Sequence, residues 1–524
     1  MKVLVADSIA PDGLEILRQE HSVDVKTGLD EAALVDIIGE YDALVVRSAP
    51  KVTARIIQAG TRLQVIGRAG VGVDNIDMDA ATERGILVVN APDGNTLAAA
   101  EHTIAMMLAL ARHIPAADRS MREGKWDRKR FMGVQVADKT LGVVGLGRIG
   151  SEVARRGRGL GMHVLAYDPY TAGAWAESLG AEVCDGLTDL LARSDFVTVH
   201  VPLTPATRGL IGAHELALMK PTARIINCAR GGIVDEEALL AALDAGQIAG
   251  AALDVFASEP PTNSALLAHP KVVLTPHLGA STAEAQVAVA VDVAQQVVDV
   301  LAGRPAAHPV NAPIIPPEAQ AELIPFCELA EKLGRMAFQL MDRRLSQLRI
   351  TYAGQVAEMN TDPLRALLIK GLLQDVSESR ITLVNAGLVA RSRGLQLIEE
   401  KIGDAGHFAS LITLSFSDNG QERVLSGTVL RSEPHIVHID RYWLDFVPRA
   451  YHLLIYHQDR PGMIGEVGRL TGEADINIAF MGVGRLQPRG EALMVLTLDE
   501  TVPPQVRAQI AALKDIYAVR LLEL

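Results

Sequence analysis

Leu141-Gly-Val-Val-Gly145-Leu-Gly147-Arg148-Ile149-Gly150 is an apolar run of strand type that passes directly into a glycine-rich turn and then into a helical stretch. Glycines at the first two places of such a turn let the backbone bend tightly and approach a pyrophosphate. The third lets the helix pack on the strand. Phosphate bound there meets the positive end of the helix. The next apolar run ends in Asp168, at the spacing where a carboxylate accepts hydrogen bonds from adenosine ribose hydroxyls and repels a 2′-phosphate. The stretch predicts a doubly wound nucleotide-binding sheet that favours NAD over NADP. A purely conformational turn, with Asp168 capping the chain before Pro169, is the weaker alternative.

Outward from this turn, short β-rich runs recur. Before it, runs at 3–6, 43–46, 63–66 and 86–89 alternate with helical stretches, a βαβ pattern that predicts a parallel sheet. A helix over about 96–112 leads into a second series at 141–144, 164–167, 196–200, 225–227, 251–254 and 272–275. The fold class is therefore α/β, with two doubly wound parallel-sheet lobes. The stretch Gly303-Arg-Pro-Ala-Ala-His-Pro309, with Pro313, Pro316 and Pro317 behind it, breaks regular structure and marks a boundary. Beyond it, 318–450 mixes a helix at 363–375 with strands at 411–416 and 423–429, and holds no pattern of catalytic residues. The end is clearer. Strands at 452–457, 476–483, 491–498 and 517–522 with helices at 463–473 and 504–513 spell βαββαβ, a ferredoxin-like module.

With 524 residues the chain exceeds one hydrophobic core and should form roughly three or four units. A net charge of −13 argues against a general nucleic-acid binder, which needs a basic face. The opening Met1-Lys-Val-Leu-Val-Ala-Asp7 reads as a strand with a polar stop rather than an export signal. The most apolar helix contains Glu101 and His102 and is too short to span a membrane. Cys184, Cys228 and Cys327 have no paired spacing, so neither a disulfide frame nor a metal site is expected, and reduced thiols suit the cytoplasm.

Several polar groups stand just past apolar runs, where an open parallel sheet has its ligand crevice. Arg230, in Asn227-Cys228-Ala229-Arg230-Gly231-Gly232, can bind a planar carboxylate by a two-pronged fork while polarising an adjacent carbonyl. His277, in Thr275-Pro-His277-Leu278-Gly279, can exchange a hydroxyl proton if a carboxylate fixes its other nitrogen, and Glu259 is the candidate. Asp254 ends its run where the nicotinamide end of a cofactor would lie, with a turn cap as its alternative role. Arg47, Ser48 and Arg68 follow the runs of the first lobe. Taken singly, Arg230 is as well explained by a structural ion pair and His277 by a loop role; their order beside the glycine turn points to hydride transfer.

Over about residues 1–312 these residues resemble the D-isomer-specific 2-hydroxy acid dehydrogenases, and the long branch carrying an intervening domain and an ACT module extends the resemblance over the whole chain. The resemblance implies Arg230, Glu259 and His277 as catalytic residues. It implies NAD contacts at the turn of Gly145, Gly147 and Gly150 with Arg148 and Ile149, at Asp168, at Cys228 and Ala229, at Asp254, and at Leu278, Gly279 and Ala280. It also implies a discontinuous substrate domain, 1–98 with 284–312, around a nucleotide domain at 99–283, then an intervening domain at 318–450 and an ACT domain at 451–524. The implied reaction is oxidation of 3-phosphoglycerate, held by Arg47, Ser48, Arg68 and the backbone near Gly70 and Gly72, with Arg128 lent to a neighbouring subunit of a homodimer or homotetramer. His457, Asp459 and Asn477 resemble an ACT effector site, and the implied effector is L-serine. A dehydrogenase of glycerate or 2-hydroxyglutarate remains the rival, and a cofactor-responsive partner of transcription factors is the alternative of a different class.

Overall fold

The structure is a computed structural model and describes residues 1–171, 173–261, 265–341, 345–377, 380–418 and 421–524. Its first sheet is wholly parallel, in the order Ser22–Val25, Lys2–Val5, Ala43–Val46, Val65–Arg68, Leu87–Asn90. Strands of this kind are buried on both faces, which is why their sequences are continuous apolar runs. Leu4, Leu44 and Ile66 enter one core, while Val3, Val5, Val45 and Val65 enter another on the opposite face. The second core is completed from far along the chain. Helix Ala283–Leu301, capped by the Thr282 hydroxyl, lays Val289, Val293 and Val297 against the first sheet.

The second sheet has seven parallel strands in the order Val272–Leu274, Gly250–Leu253, Arg224–Asn227, Phe196–Val199, Thr140–Val144, His163–Tyr167, Glu182–Val183. Strand order reverses beside Thr140–Val144, so the glycine-rich turn opens at the switch point where such sheets bind ligands. Helix Thr96–Ala111 crosses between the lobes and packs Ala100, Met107 and Leu110 with Leu141 and Val143.

A six-stranded mixed sheet follows, running Gln396–Ile402, Gln347–Gly354, Ser410–Asp418, Gln421–Leu430, Glu433–Ile439, Tyr442–Phe446. Only its first two strands pair in parallel. The last sheet is antiparallel, in the order Ile478–Arg485, Glu491–Leu498, Tyr451–Gln458, Ile516–Glu523, with helices Met463–Glu473 and Pro504–Ala511 on one face. That is the βαββαβ order the sequence predicts. Leu453 and Ile455 face the helices, whereas Leu454, Leu493 and Val495 join the core of the preceding mixed sheet.

The connecting segment after Ala283–Leu301 is not a free tether. Val310 donates its amide to the Val88 carbonyl at 2.8 Å, and the Asn311 side chain accepts from the Val88 amide at 2.9 Å. A second clasp lies nearby, where Thr382 Oγ1 donates to the Gly85 carbonyl at 3.0 Å and buried Asn385 reaches the Glu83 carbonyl. Among the described residues no helix is long and apolar enough to cross a membrane.

Candidate active site

Gly145 has φ +91° and a Cβ there would lie 2.6 Å from the His200 carbonyl oxygen, so the turn needs glycine for both conformation and space. A Cβ at Gly150 would overlap the Gly145 carbonyl, which fixes how closely helix Arg148–Gly159 approaches the strand. Gly147, in contrast, faces nothing within 4 Å. Its open face adjoins a cavity of about 430 Å³ lined by Asp93, Thr96, Arg148, Ser151 and Trp175. The buried Thr96 hydroxyl and the buried Asn95 side-chain oxygen have no partner beside it. Unpaired helix N–H groups, open backbone and unpartnered polar atoms together fit a dinucleotide phosphate. Ile149 turns inward onto the apolar cluster of this lobe.

Asp168 accepts the Leu146 amide at 2.8 Å on one oxygen and the Tyr170 amide at 2.9 Å on the other. Burial pushes its carboxyl pKa up, but these amides outweigh it and hold the group below its ordinary value, so it stays ionised. The carboxylate thus braces the glycine turn. Arg148 leaves the turn to pair with Asp93 of the first lobe at 2.5 Å.

Two loops of the second lobe meet at the cleft. His277 Nδ1 lies 2.7 Å from Glu259 Oε2, and Glu259 Oε1 accepts the Phe256 amide at 3.0 Å. The carboxylate therefore occupies one imidazole nitrogen and leaves Nε2 for proton exchange. Asp254 is fully buried and works as a turn cap: its carboxylate accepts the Leu278 amide at 2.7 Å, the Gly279 amide at 2.8 Å and the Thr275 hydroxyl at 2.6 Å. His102 stands 3.2 Å away. Burial opposes the charge of Asp254, but these partners hold its pKa below the ordinary value. Beyond it, the Ala280 carbonyl accepts from Gln286 at 2.8 Å. Cys228 is a thiol pushed up to about 12 by burial and by the charge of Asp254. The Ala229 carbonyl accepts from Arg230 Nη1 at 2.7 Å.

The first lobe supplies an arginine cluster. Arg68 ends strand Val65–Arg68; burial and then the charges of Arg230 and Arg47 push its pKa down to about 10, while Asp74 and Asp7 push it back. Its buried Nε has no partner. An anion is what this arrangement lacks. Arg47 donates to the Ser8 carbonyl at 3.2 Å, and Ser48 is exposed beside it. Gly70, at φ +147°, leaves the room that the Arg68 guanidinium fills. Arg230 reaches across from the second lobe, and its Nε donates to Asp74 at 3.1 Å. The structure thus brings Arg47, Arg68, Gly72 and Arg230 to one cleft. Arg128 lies elsewhere, on the exposed 123–130 stretch near exposed Trp126 and Met132.

In the terminal module His457 is buried with Nε2 unpartnered. Asp459 is taken up by Arg485 at 3.2 Å and by the Arg489 amide at 3.1 Å, and Asn477 donates to Asp499 at 2.6 Å. Sequence reading missed Asp74, Asp93, His102 and Arg485. Only Asp74 carried a local signal, the paired glycines before it in Gly70-Val-Gly72-Val-Asp74.

Comparison with known proteins agrees with this geometry. The profile "D-isomer specific 2-hydroxyacid dehydrogenase, NAD binding domain" matches residues 104–279, "D-3-phosphoglycerate dehydrogenase intervening domain" matches 322–440, and "ACT domain" matches 451–515. D-3-phosphoglycerate dehydrogenase of Synechocystis is 50% identical over 99% of this chain and 95% of its own length. That of Methanocaldococcus jannaschii is 44% identical over the full length of both. A D-lactate dehydrogenase from Aquifex aeolicus, solved with NAD and lactic acid, superposes on 59% of this chain and 99% of its own, with a TM-score of 0.54 at 27% identity. From the crossed lobes to the terminal module, the chain belongs to the D-3-phosphoglycerate dehydrogenase branch of the D-isomer-specific 2-hydroxyacid dehydrogenases.

Proposed function

We propose that this chain oxidises 3-phosphoglycerate to 3-phosphohydroxypyruvate with NAD⁺, the step that opens L-serine synthesis. The observation that carries the reading is the convergence of the His277–Glu259 pair, at 2.7 Å, with Arg230, Arg68 and Arg47 in one cleft. NAD⁺, when bound, supplies the hydride acceptor. The turn of Gly145, Gly147, Arg148, Ile149 and Gly150 would hold its pyrophosphate, Asp168 its ribose, and the segments at Cys228, Ala229 and Leu278 to Ala280 its nicotinamide end. Asp254 serves there by shaping the loop.

His277 Nε2 takes the C2 hydroxyl proton, and Glu259 on Nδ1 fixes the tautomer and stabilises the imidazolium that results. Arg230 grips the substrate carboxylate and polarises the C2 oxygen through its Nη groups. Arg47 and Arg68, with Ser48 and the amides near Gly70 and Gly72, take the phosphate. Two ion pairs between the lobes, Asp93 with Arg148 and Asp74 with Arg230, draw the cleft closed and exclude water.

This assignment divides the chain into a substrate domain (1–98 with 284–312), a nucleotide domain (99–283), an intervening domain (318–450) and an ACT domain (451–524). The exposed stretch that carries Arg128 is mostly charged but holds Trp126, with Met132 close behind, in solvent; a second copy of the chain covering it would bring that arginine to its neighbour's cleft in a dimer or tetramer. Buried, unpartnered His457 Nε2, with Asp459 beside it, offers polar contacts to a small amino acid; Asn477 stands at the opposite end of strand Glu491–Leu498 and would join such a site only from a second, paired module, and L-serine is the effector we assign. Three free thiols suit the cytoplasm.

The test is NADH consumption with 3-phosphohydroxypyruvate, hydroxypyruvate and 2-oxoglutarate, each with and without L-serine. Preference for the phosphorylated substrate, with serine inhibition, is the expected result. Preference for an unphosphorylated acid would keep the chemistry and discard the substrate. Serine that neither inhibits nor raises the melting temperature would remove the effector assignment.

A further inference from the structure

We propose that Asp74 is a positioning residue that turns the Arg230 guanidinium end-on to the substrate when the lobes meet. The proposal rests on the 2-hydroxy acid dehydrogenase reading above. Arg230 Nε donates to Asp74 Oδ2 at 3.1 Å, and Nη1 donates to the Ala229 carbonyl at 2.7 Å. A guanidinium has five N–H donors; Nε–H is engaged on one edge and one N–H of Nη1 on the other, so the second N–H of Nη1 with both of Nη2 remain. Those three form the end-on fork that binds a carboxylate and an adjacent oxygen together.

Gly72 completes the socket: a Cβ there would overlap Arg230 Nη2 and lie 2.7 Å from Asp74 Oδ2. Only glycine lets the first-lobe backbone lie flush against the guanidinium. The loop itself is pinned on both sides of Asp74. Asn90 donates to the Val71 carbonyl at 2.6 Å, and the Ala91 amide to the Gly70 carbonyl at 3.0 Å. Asn75 donates to the Arg47 and Pro50 carbonyls, each at 2.8 Å. Asp74 therefore sits on a rigid mount of the first lobe, while Arg230 belongs to the second. Their bond exists only with the lobes together, so closure and arginine alignment are one event.

A merely structural role predicts little, because the Asp74 side chain is 65% exposed and exposed ion pairs contribute little to stability. A positioning role predicts a loss of turnover out of proportion to any change in melting temperature. Misplacing a reacting group by about 1 Å costs on the order of 100-fold, so Asp74→Ala should lower kcat by about that factor with NADH affinity unchanged. Asp74→Asn keeps an oxygen to accept from Nε and should retain most of the turnover.

The experiment compares both variants, alone and with Arg230→Lys, by steady-state kinetics, thermal melting and calorimetric binding of 3-phosphoglycerate. If Asp74 acts through the guanidinium, its loss is nearly silent in the lysine background, and 3-phosphoglycerate binding weakens in Asp74→Ala but much less in Asp74→Asn. Wild-type-like kcat/KM in Asp74→Ala, or an equal cost in both backgrounds, would overturn the proposal. If the wild-type protein prefers another 2-oxo acid, the substrate assignment fails, and the same cycle run on that acid still decides the role of Asp74.

Discussion

The amide of His277 donates to the carbonyl of Asp254 at 2.8 Å, and the Asp254 carboxylate takes the amides of Leu278 and Gly279, so one buried residue shapes the whole turn that carries the imidazole. His277 is held at φ +55°, a region that non-glycine residues occupy at a cost. Asp254→Ala leaves the Leu278 and Gly279 amides without their acceptor, while the Thr275 hydroxyl keeps His102, and should lower stability by about 2–4 kcal/mol. Turnover should fall more steeply than NADH binding. Retention of wild-type kcat would show that the loop keeps its shape without the cap.

Removal of the proton-transfer pair should separate chemistry from binding. His277→Ala should lower kcat by roughly 10³-fold, within the range for a positioned acid–base group, while NADH still binds. Glu259→Gln should cost less, since imidazole can still exchange the proton once its tautomer is loosely held. Near-normal kcat in His277→Ala under steady-state assay would overturn the mechanism.

Arg68 should report the phosphate. Its charge is buried among Arg47 and Arg230 with Nε unpartnered, and a bound phosphate supplies the missing counter-charge. Arg68→Met should raise KM for 3-phosphohydroxypyruvate by about 10–100-fold, as expected for loss of a charge-assisted contact, and affect hydroxypyruvate far less. Equal losses for the two substrates would place the phosphate elsewhere.

Asp168 should set the cofactor. Asp168→Ala removes the charge that repels a 2′-phosphate and also frees the Leu146 amide it braces. NADP should gain on NAD by about 10-fold or more in relative kcat/KM, while absolute NAD use falls. An unchanged preference, measured with both cofactors, would take Asp168 out of the ribose site.

The terminal module should loosen in acid. His452 is fully buried, accepts the Arg449 amide at 2.8 Å, and is pushed down by burial to about 4 from its ordinary 6.5. Above pH 6.5 both folded and unfolded chains carry it neutral and its contribution is complete. As pH falls toward 4 only the unfolded chain takes up the proton, so stability drops by about 1.4 kcal/mol per pH unit and levels off below the folded value. Melting curves between pH 7 and 4 should show this slope in the wild type and a flatter one in His452→Gln. Identical slopes would rule His452 out as the cause.

Much of this was readable because it is local. A glycine turn between a strand and a helix, an aspartate at the next strand end, and an arginine or histidine just past an apolar run need only sequence neighbours to be recognised. Asp74 and Arg230 are 156 residues apart, and nothing in either segment announces the other. Asp93 with Arg148 and Asp459 with Arg485 are hidden for the same reason. Among strands, Ser22–Val25 was lost because its run is short and half polar, and Gln396–Ile402 because an exposed edge reads Gln-Leu-Ile-Glu-Glu-Lys-Ile. The strand expected at 63–66 lies at Val65–Arg68: a charged Arg68 looks like loop, yet it pairs with Asn90 and carries the guanidinium into the cleft.

The clasp of Val310 and Asn311 on Val88 has a practical side for anyone who shortens the chain. Leu87–Asn90 is the outermost strand of its sheet, and 308–311 lies along its bare flank. A catalytic fragment ended at Gly303 would uncover that row of amides and carbonyls and invite edge-to-edge association. One carried through Pro313 would keep its cover and should remain monodisperse at concentrations where the shorter piece self-associates.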